Sequence, residues 1–173
     1  IVKTMLDFSG KASESRERVD LAELIRHNLM LLAKVFEVNG ITVATSFKDC
    51  PRVLCNAGQI SQAFVNIMLN ARDAMRGLPE KKLTVTLDYD IDKNEARVCF
   101  RDTGIGIPKE NLERVFDPFF STLPEGSGLG MTISHQIVHE HGGFIDLESE
   151  LGKGTRVGIF LPVRTGTGAK NLP

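Results

Sequence analysis

The chain of 173 residues has few cysteines, little excess charge and no long apolar run. Its three cysteines, Cys50, Cys55 and Cys99, lack CxxC spacing, which argues against a disulfide framework or a metal site and favours reduced thiols. A formal net charge of −1 gives no electrostatic reason to expect nucleic acid or a membrane surface as a partner. No apolar run approaches the roughly 18 residues of a membrane helix, and we expect no signal peptide and a cytoplasmic location.

What is present is the composition of one ordinary globular domain, 42% hydrophobic and 25% charged. The first ten residues place Ile1, Met5 and Phe8 at helical spacing before Gly10, the pattern of the last turns of an amphipathic helix. Residues 11–18 are polar and predict a linker, and residues 164–173 predict a flexible tail. Because the chain starts in mid-pattern, we expect a piece of a longer protein; a frayed helix packed on its own domain is the alternative.

Hydrophobic periodicity predicts both helices and strands between residues 19 and 163. Apolar residues at helical spacing predict helices over 20–40, 59–75 and 129–141, and a short helical piece after Pro108. Residues 51–55 predict a short extended connection. Alternating apolar residues predict strands, whose ranges are 41–47, 83–89, 96–101, 144–149 and 155–161.

The segment 102–130, DTGIGIPKENLERVFDPFFSTLPEGSGLG, predicts a nucleotide site. Asp102 follows a predicted strand, and a fixed acceptor at a strand end can read the exocyclic amino group of a base. Gly126, Gly128 and Gly130 precede and open a predicted helix, where backbone N–H groups and the helix dipole favour phosphate. Any one of these glycines alone would be explained by a turn. Their joint order predicts a nucleotide site in which the intervening loop is a lid.

Two asparagines on the predicted helix 59–75 point to a cation. Asn66, Asn70 and Asp73 share one face of that helix. A polar stripe is usually the solvated side, but asparagines within an apolar stretch need hydrogen-bond partners, since a buried unpaired amide is costly. Their carboxamide oxygens are suitable ligands for Mg²⁺, which keeps most of its waters and bridges phosphate oxygens.

Five ordered motifs resemble the N, glycine and F boxes of sensor histidine kinases. They are NIMLNARDAM (66–75), DTGIGIP (102–108), FDPFF (116–120), GSGLG (126–130) and GT (154–155). NARDAM and FDPFFST are most similar to a nitrogen-regulator-like subgroup. The resemblance implies the two-layer α/β sandwich, or Bergerat-type fold, shared with gyrase, MutL and ATP-dependent heat-shock chaperones. We therefore expect an α+β domain with a mixed, mostly antiparallel sheet of about five strands, covered on one face by about three helices.

The resemblance also implies ATP and Mg²⁺ as cofactors, with Asn70 as the Mg²⁺ ligand and Asn66 beside it. The further nucleotide-binding residues that it implies are Asp73, Asp102, Gly104, Gly106, Ile107, Phe116, Phe120, Gly126, Ser127, Gly128, Leu129, Gly130 and Thr155. Hydrolysing relatives have a glutamate at the position of Asn66, and an amide cannot take a proton near neutral pH, so phosphoryl transfer is favoured over hydrolysis. Asp73 and Leu123 depart from the pattern. Many relatives have a lysine or another phosphate-facing residue at the position of Asp73, and a lysine is common at that of Leu123.

The implied function is that of a histidine kinase catalytic domain. It would present the γ-phosphate to a histidine on a separate dimerisation hairpin of the same protein, whose helix residues 1–10 would end, and the phosphate would pass to a response regulator. The full-length protein would be a homodimer. None of the chain's histidines, His27, His135, His139 and His141, has the surroundings of a phosphoacceptor. An ATP-hydrolysing dimer clamp and a non-catalytic nucleotide-sensing or partner-binding module are the alternatives.

Overall fold

The structure, a computed structural model, describes residues 15–122 and 126–163. These residues form seven strands and four helices. In chain order the elements are β1 (Glu17–Val19), α1 (Leu21–Val38), β2 (Thr42–Phe47), β3 (Val53–Cys55), α2 (Ala57–Ala74), β4 (Lys82–Asp90), β5 (Glu95–Asp102), α3 (Lys109–Leu112), α4 (Gly130–Glu140), β6 (Phe144–Glu150) and β7 (Gly154–Pro162).

Five of the strands form one mixed sheet in the order β2-β4-β5-β7-β6. Only the β2–β4 pair is parallel among them, and the remaining neighbours are antiparallel. Side chains alternate across each strand, so the apolar residues of β4 and β5 share one face, where Val85 lies opposite Phe100. This pairing confirms the mixed, mostly antiparallel sheet expected from the sequence.

The long helices α1, α2 and α4 cover the apolar face of that sheet. Asp20 caps α1 by accepting a hydrogen bond from the Glu23 N–H, and Asn56 caps α2 by accepting one from the Gln59 N–H, each at 3.1 Å. Phe64 of α2 is fully buried, and its ring centroid lies 5.5 Å from that of Phe100. Truncation of such a phenylalanine to alanine costs about 3 to 5 kcal/mol. The core therefore fixes α2 against the strand that ends at Asp102.

A second, two-stranded sheet pairs β1 with β3, with Glu17 opposite Cys55. Glu17 and Arg18 had been expected in a linker, so ordered structure begins earlier than the sequence predicted. Arg16 adds a further connection, because its guanidinium donates to the carbonyl oxygen of Glu140 at the end of α4. A three-residue strand is too short to show alternation, and its residues pair with partners 34 to 38 positions away, so no local pattern could reveal it.

The remaining elements lie where periodicity predicted them, to within a few residues at each end. Of the described residues, no helix is both long enough and apolar enough to cross a membrane. The predicted helix end at 1–10 and the predicted tail at 164–173 lie outside the described residues, as does Leu123.

Candidate functional site

Asp102 is the last residue of β5 and is buried, with 6% of the residue exposed. One carboxylate oxygen, Oδ1, accepts two backbone hydrogen bonds, from the Gly104 N–H at 2.7 Å and the Thr155 N–H at 3.2 Å. Within residues 15–122 and 126–163 the other oxygen, Oδ2, accepts none. Burial raises the pKa of the Asp102 carboxyl, and the two backbone hydrogen bonds partly offset that rise. The group is thus a rigidly oriented acceptor with one oxygen left for a ligand.

The loop after Asp102 is fastened to three neighbouring segments. The Ile105 N–H donates to the Ala74 carbonyl at the end of α2, at 2.9 Å. The Ile107 N–H donates to the Ser149 hydroxyl at 2.8 Å, and Ser149 in turn lies 2.9 Å from the Thr155 hydroxyl. Together with the bond from the Thr155 N–H to Asp102, these bonds connect α2, β6 and β7 around one loop.

Gly104 and Gly106 allow this loop to lie close to its neighbours. A Cβ atom at Gly104 would lie 2.7 Å from Asp102 Oδ1 and 2.8 Å from the Ala74 carbonyl oxygen. Gly106 has a φ of +70°, and a Cβ there would overlap the Glu150 carbonyl. Both glycines are therefore required by close backbone packing at the floor of the site.

Asn66 and Asn70, the asparagines predicted to lie at Mg²⁺, face Gly130, the first residue of α4. The Asn66 Nδ2 donates to the Gly130 carbonyl oxygen at 3.3 Å. A Cβ built on Gly130 would lie 3.8 Å from both the Asn66 side chain and the Asn70 Nδ2. The sequence placed these asparagines on one helix and the glycine on another, and the structure brings the three together.

Asp73, one turn beyond Asn70, is paired with arginines. Its carboxylate accepts from the Arg72 Nε and Nη2, each at 2.9 Å, and from the Arg76 Nη2 at 3.3 Å. The two arginines neutralise a carboxylate that would otherwise repel phosphate. A nucleotide contact of Asp73 stays a prediction.

The F-box segment runs from α3 to the start of α4. Phe116 is half-buried, with its ring centroid 4.9 Å from that of the exposed His135, and Phe120 packs under the Arg114 guanidinium at 4.4 Å. Phe119 is 78% exposed and has a φ of +65°. Its N–H donates to the Gly128 carbonyl at 3.0 Å, and that bond closes the base of the predicted lid.

The glycine cluster before α4 is exposed at its start and half-buried at its end. Gly126 and Ser127 are exposed, and the Ser127 hydroxyl accepts from the Leu129 N–H at 3.4 Å. Gly128 has a φ of +68°, and a Cβ there would overlap the backbone of Phe119. Leu129 is the N-cap residue of α4, so the free backbone N–H groups of the first turn begin directly after it.

Two buried polar residues near the site, His141 and Ser134, are not among the site residues predicted from the sequence. His141 is buried; its Nδ1 lies 2.7 Å from the Ile137 carbonyl, and its Nε2 accepts from the Asn56 N–H at 3.0 Å. It thereby connects the end of α4 with the start of α2. Ser134 is fully buried on α4 and contacts Asn66. The other histidines, His27, His135 and His139, are exposed.

The donor set fits Mg²⁺ rather than a transition metal. Asn66 and Asn70 offer amide oxygens, which are hard ligands, and both side chains are half-buried. Among the described residues, no group of three or more His, Cys, Asp or Glu side chains could hold a metal ion. A site with few protein ligands suits an ion that keeps its waters and binds substrate phosphates.

Known proteins are similar to this chain in sequence and in fold. Residues 55–165 match the family of histidine kinase-, DNA gyrase B- and HSP90-like ATPases. The sensor kinase CckA of Brucella abortus is 34% identical over 94% of this chain, which spans 18% of that relative's length. The catalytic domain of histidine kinase ThkA superposes with a TM-score of 0.76 at 29% identity, covering 86% of this chain and 97% of that one. ThkA in complex with its response regulator protein TrrA gives 0.74 at 27% identity, covering 94% and 46%.

The chain belongs to the family of histidine kinase-, DNA gyrase B- and HSP90-like ATPases. Within it, the sequence and the fold are those of the ATP-binding catalytic domain of a sensor histidine kinase. The expectations about family, fold and catalytic-domain class are confirmed, whereas the nitrogen-regulator-like subgroup stays a prediction. The chain spans about a fifth of CckA, so what the whole protein does is a separate question.

Proposed function

We propose that this domain binds Mg·ATP and transfers the γ-phosphate to a histidine on a separate dimerisation hairpin of a homodimeric protein. Asp102 would accept from the adenine amino group, Asn70 and Asn66 would hold the metal, and the N–H groups at the start of α4 would bind phosphate. A response regulator would then receive the phosphate on an aspartate. When bound, Mg²⁺ would neutralise charge on the phosphates.

The observation that carries this proposal is the amide at position 66 facing the first residue of α4. A phosphate held by this helix terminus would lie beside a group that cannot remove a proton from water near neutral pH. Phosphoryl transfer needs positioning and charge neutralisation more than covalent help, and a fixed amide with a bound cation supplies both. The arrangement therefore favours transfer over hydrolysis.

The test compares label transfer with phosphate release. The chain is given γ-labelled ATP and Mg²⁺ with a cognate hairpin, and label on the hairpin histidine and free phosphate are both measured. We expect transfer to the hairpin, little hydrolysis and no label on the chain's own histidines. Asn66→Ala should abolish transfer, while Gln62→Ala, which removes an exposed amide one turn earlier on α2, should not.

Rapid phosphate release with no transfer would instead support an ATP-hydrolysing clamp. ATP binding with neither reaction would support a nucleotide-sensing module. Acid-labile label on His27, His135, His139 or His141 of the isolated chain would contradict the proposed division between the catalytic domain and the acceptor.

A further inference from the structure

The side-chain amide of Asn66 is oriented by α4. Its Nδ2 lies 3.3 Å from the Gly130 carbonyl oxygen and 3.5 Å from the Ser134 hydroxyl oxygen. A carbonyl oxygen only accepts hydrogen bonds, so the amide nitrogen is the atom that faces it. The amide oxygen of Asn66 consequently points away from these two acceptors and is left for another partner.

Ser134 supports this orientation from a fully buried position on α4. Its hydroxyl donates its single proton to the Gly130 carbonyl at 2.8 Å, while the Ala63 carbonyl of α2 lies 3.5 Å away. The oxygen lone pairs then remain to accept from the Asn66 Nδ2. The Ser134 hydroxyl is thus a second acceptor for the Asn66 amide, and it also holds the Gly130 carbonyl, which is the first.

We propose that Ser134 is a positioning residue that keeps the oxygen of Asn66, rather than its NH₂ group, turned toward the bound metal and phosphates. This inference rests on the proposed function, in which Asn66 lies beside the Mg²⁺ ligand Asn70. The terminal torsion of asparagine is broad and nearly two-fold, so a weakly held amide can present either end. An NH₂ group facing a cation would repel it.

The two asparagines differ in how they are held. The side-chain amide of Asn70 makes no hydrogen bond among the described residues, so Ser134 acts on Asn66 alone. Removing the serine hydroxyl leaves the Asn66 amide with a single contact, to the Gly130 carbonyl oxygen at 3.3 Å, and removes the hydroxyl that holds that oxygen. Ser134→Ala should therefore weaken only the Mg²⁺-dependent part of ATP binding, and only when Asn66 is present.

The experiment is a double-mutant cycle of Ser134→Ala and Asn66→Ala, with affinity for ATP measured by calorimetry in Mg²⁺ and in EDTA. We expect Ser134→Ala to weaken Mg·ATP binding about 3- to 10-fold, the worth of one hydrogen bond, and to leave metal-free binding within about twofold. On the Asn66→Ala background it should have no further effect. Ser134→Thr, which keeps the hydroxyl, should restore binding if thermal unfolding shows that its extra methyl is tolerated.

A second readout needs no nucleotide. In NMR spectra the Asn66 side-chain amide should shift and exchange faster with solvent in Ser134→Ala, while that of Asn70 stays unchanged. An unmoved Asn66 signal, equal losses with and without Mg²⁺, or a full Ser134→Ala effect on the Asn66→Ala background would each overturn the positioning role. A wild-type chain that fails to bind Mg·ATP would overturn the proposed function itself, whereas normal binding that Ser134→Ala leaves untouched overturns only the positioning role.

Discussion

Replacing Asp102 with asparagine should weaken ATP binding without weakening the fold. The carboxylate oxygen Oδ1 accepts from the Gly104 and Thr155 N–H groups, and an asparagine oxygen can accept both in the same place. The change falls on the second oxygen, which becomes an NH₂ group. That group is a donor where the adenine amino group, also a donor, is proposed to bind.

The size and sign of both effects follow from this geometry. Loss of a hydrogen bond to a charged acceptor, with two donors left facing each other, costs about 1 to 3 kcal/mol, or roughly 5- to 150-fold in Kd. The free energy of unfolding should, in contrast, be higher in Asp102→Asn than in wild type once the wild-type carboxyl is ionised. Burial raises the pKa of Asp102 in the folded state, so the stability present below the ordinary carboxyl pKa is lost as pH rises through the raised value. Asparagine does not titrate, so the variant does not lose this stability as pH rises.

The assay pairs calorimetric titration with denaturant unfolding between about pH 4 and pH 7, a window that begins at the ordinary carboxyl pKa. The free energy of unfolding of Asp102→Asn, relative to wild type, should increase as pH rises. The exposed turn residue Asp92, changed to asparagine, is the control and should alter neither measurement. An unchanged affinity for ATP in a folded Asp102→Asn protein would refute the base-reading role, and a stability difference that shrinks toward pH 7 would refute the argument from burial.

Three further substitutions test the site, and a fourth experiment tests the burial of Cys55 in the core. Asn70→Ala should weaken Mg·ATP binding but leave adenosine binding within about twofold in calorimetry, and an equal loss of both would indicate a collapsed pocket. Gly130→Ala should not lower the unfolding free energy, because a methyl fits 3.8 Å from its neighbours and alanine restricts the unfolded chain, but it should weaken ATP binding. Gly128→Ala, at a position with a φ of +68°, should lose about 1 to 3 kcal/mol in denaturant unfolding. Burial raises the pKa of the Cys55 thiol to about 11, so native Cys55 should be alkylated at pH 8 more than about 10-fold more slowly than in the unfolded chain, as measured by mass spectrometry.

Much of the fold was predictable because its long elements carry complete hydrophobic periods. Leu83, Val85 and Leu87 alternate along β4 and are all buried. The position of Asp102 at the end of β5 followed from the same alternation. Periodicity assigns a residue to one face of an element, and here the buried faces decided which elements pack together.

The details that periodicity missed depend on contacts between distant segments. In the sequence, nothing distinguishes Ser134 from other helix residues. Its hydroxyl contacts Asn66 only because α4 packs on α2. Gly128 and Gly130 belong to the same motif, yet only the backbone path shows that a side chain would clash at the first and fit at the second. Asp73 lies on the predicted face, but its pairing with Arg72 depends on rotamers that no spacing rule encodes.

The bond between the Ile105 N–H and the Ala74 carbonyl makes α2 intolerant of changes in length. Asn66 and Asn70 lie upstream on this helix, and the loop that follows Asp102 is fastened to its last residue. One residue inserted between Asn70 and Ala74 would rotate the two parts by about 100° relative to each other. Asn66 and Asn70 could then keep facing α4 only if the hydrogen bond from Ile105 to Ala74 were broken. Homologous chains should accordingly vary in length elsewhere and keep the interval from Asn66 to Ala74 constant.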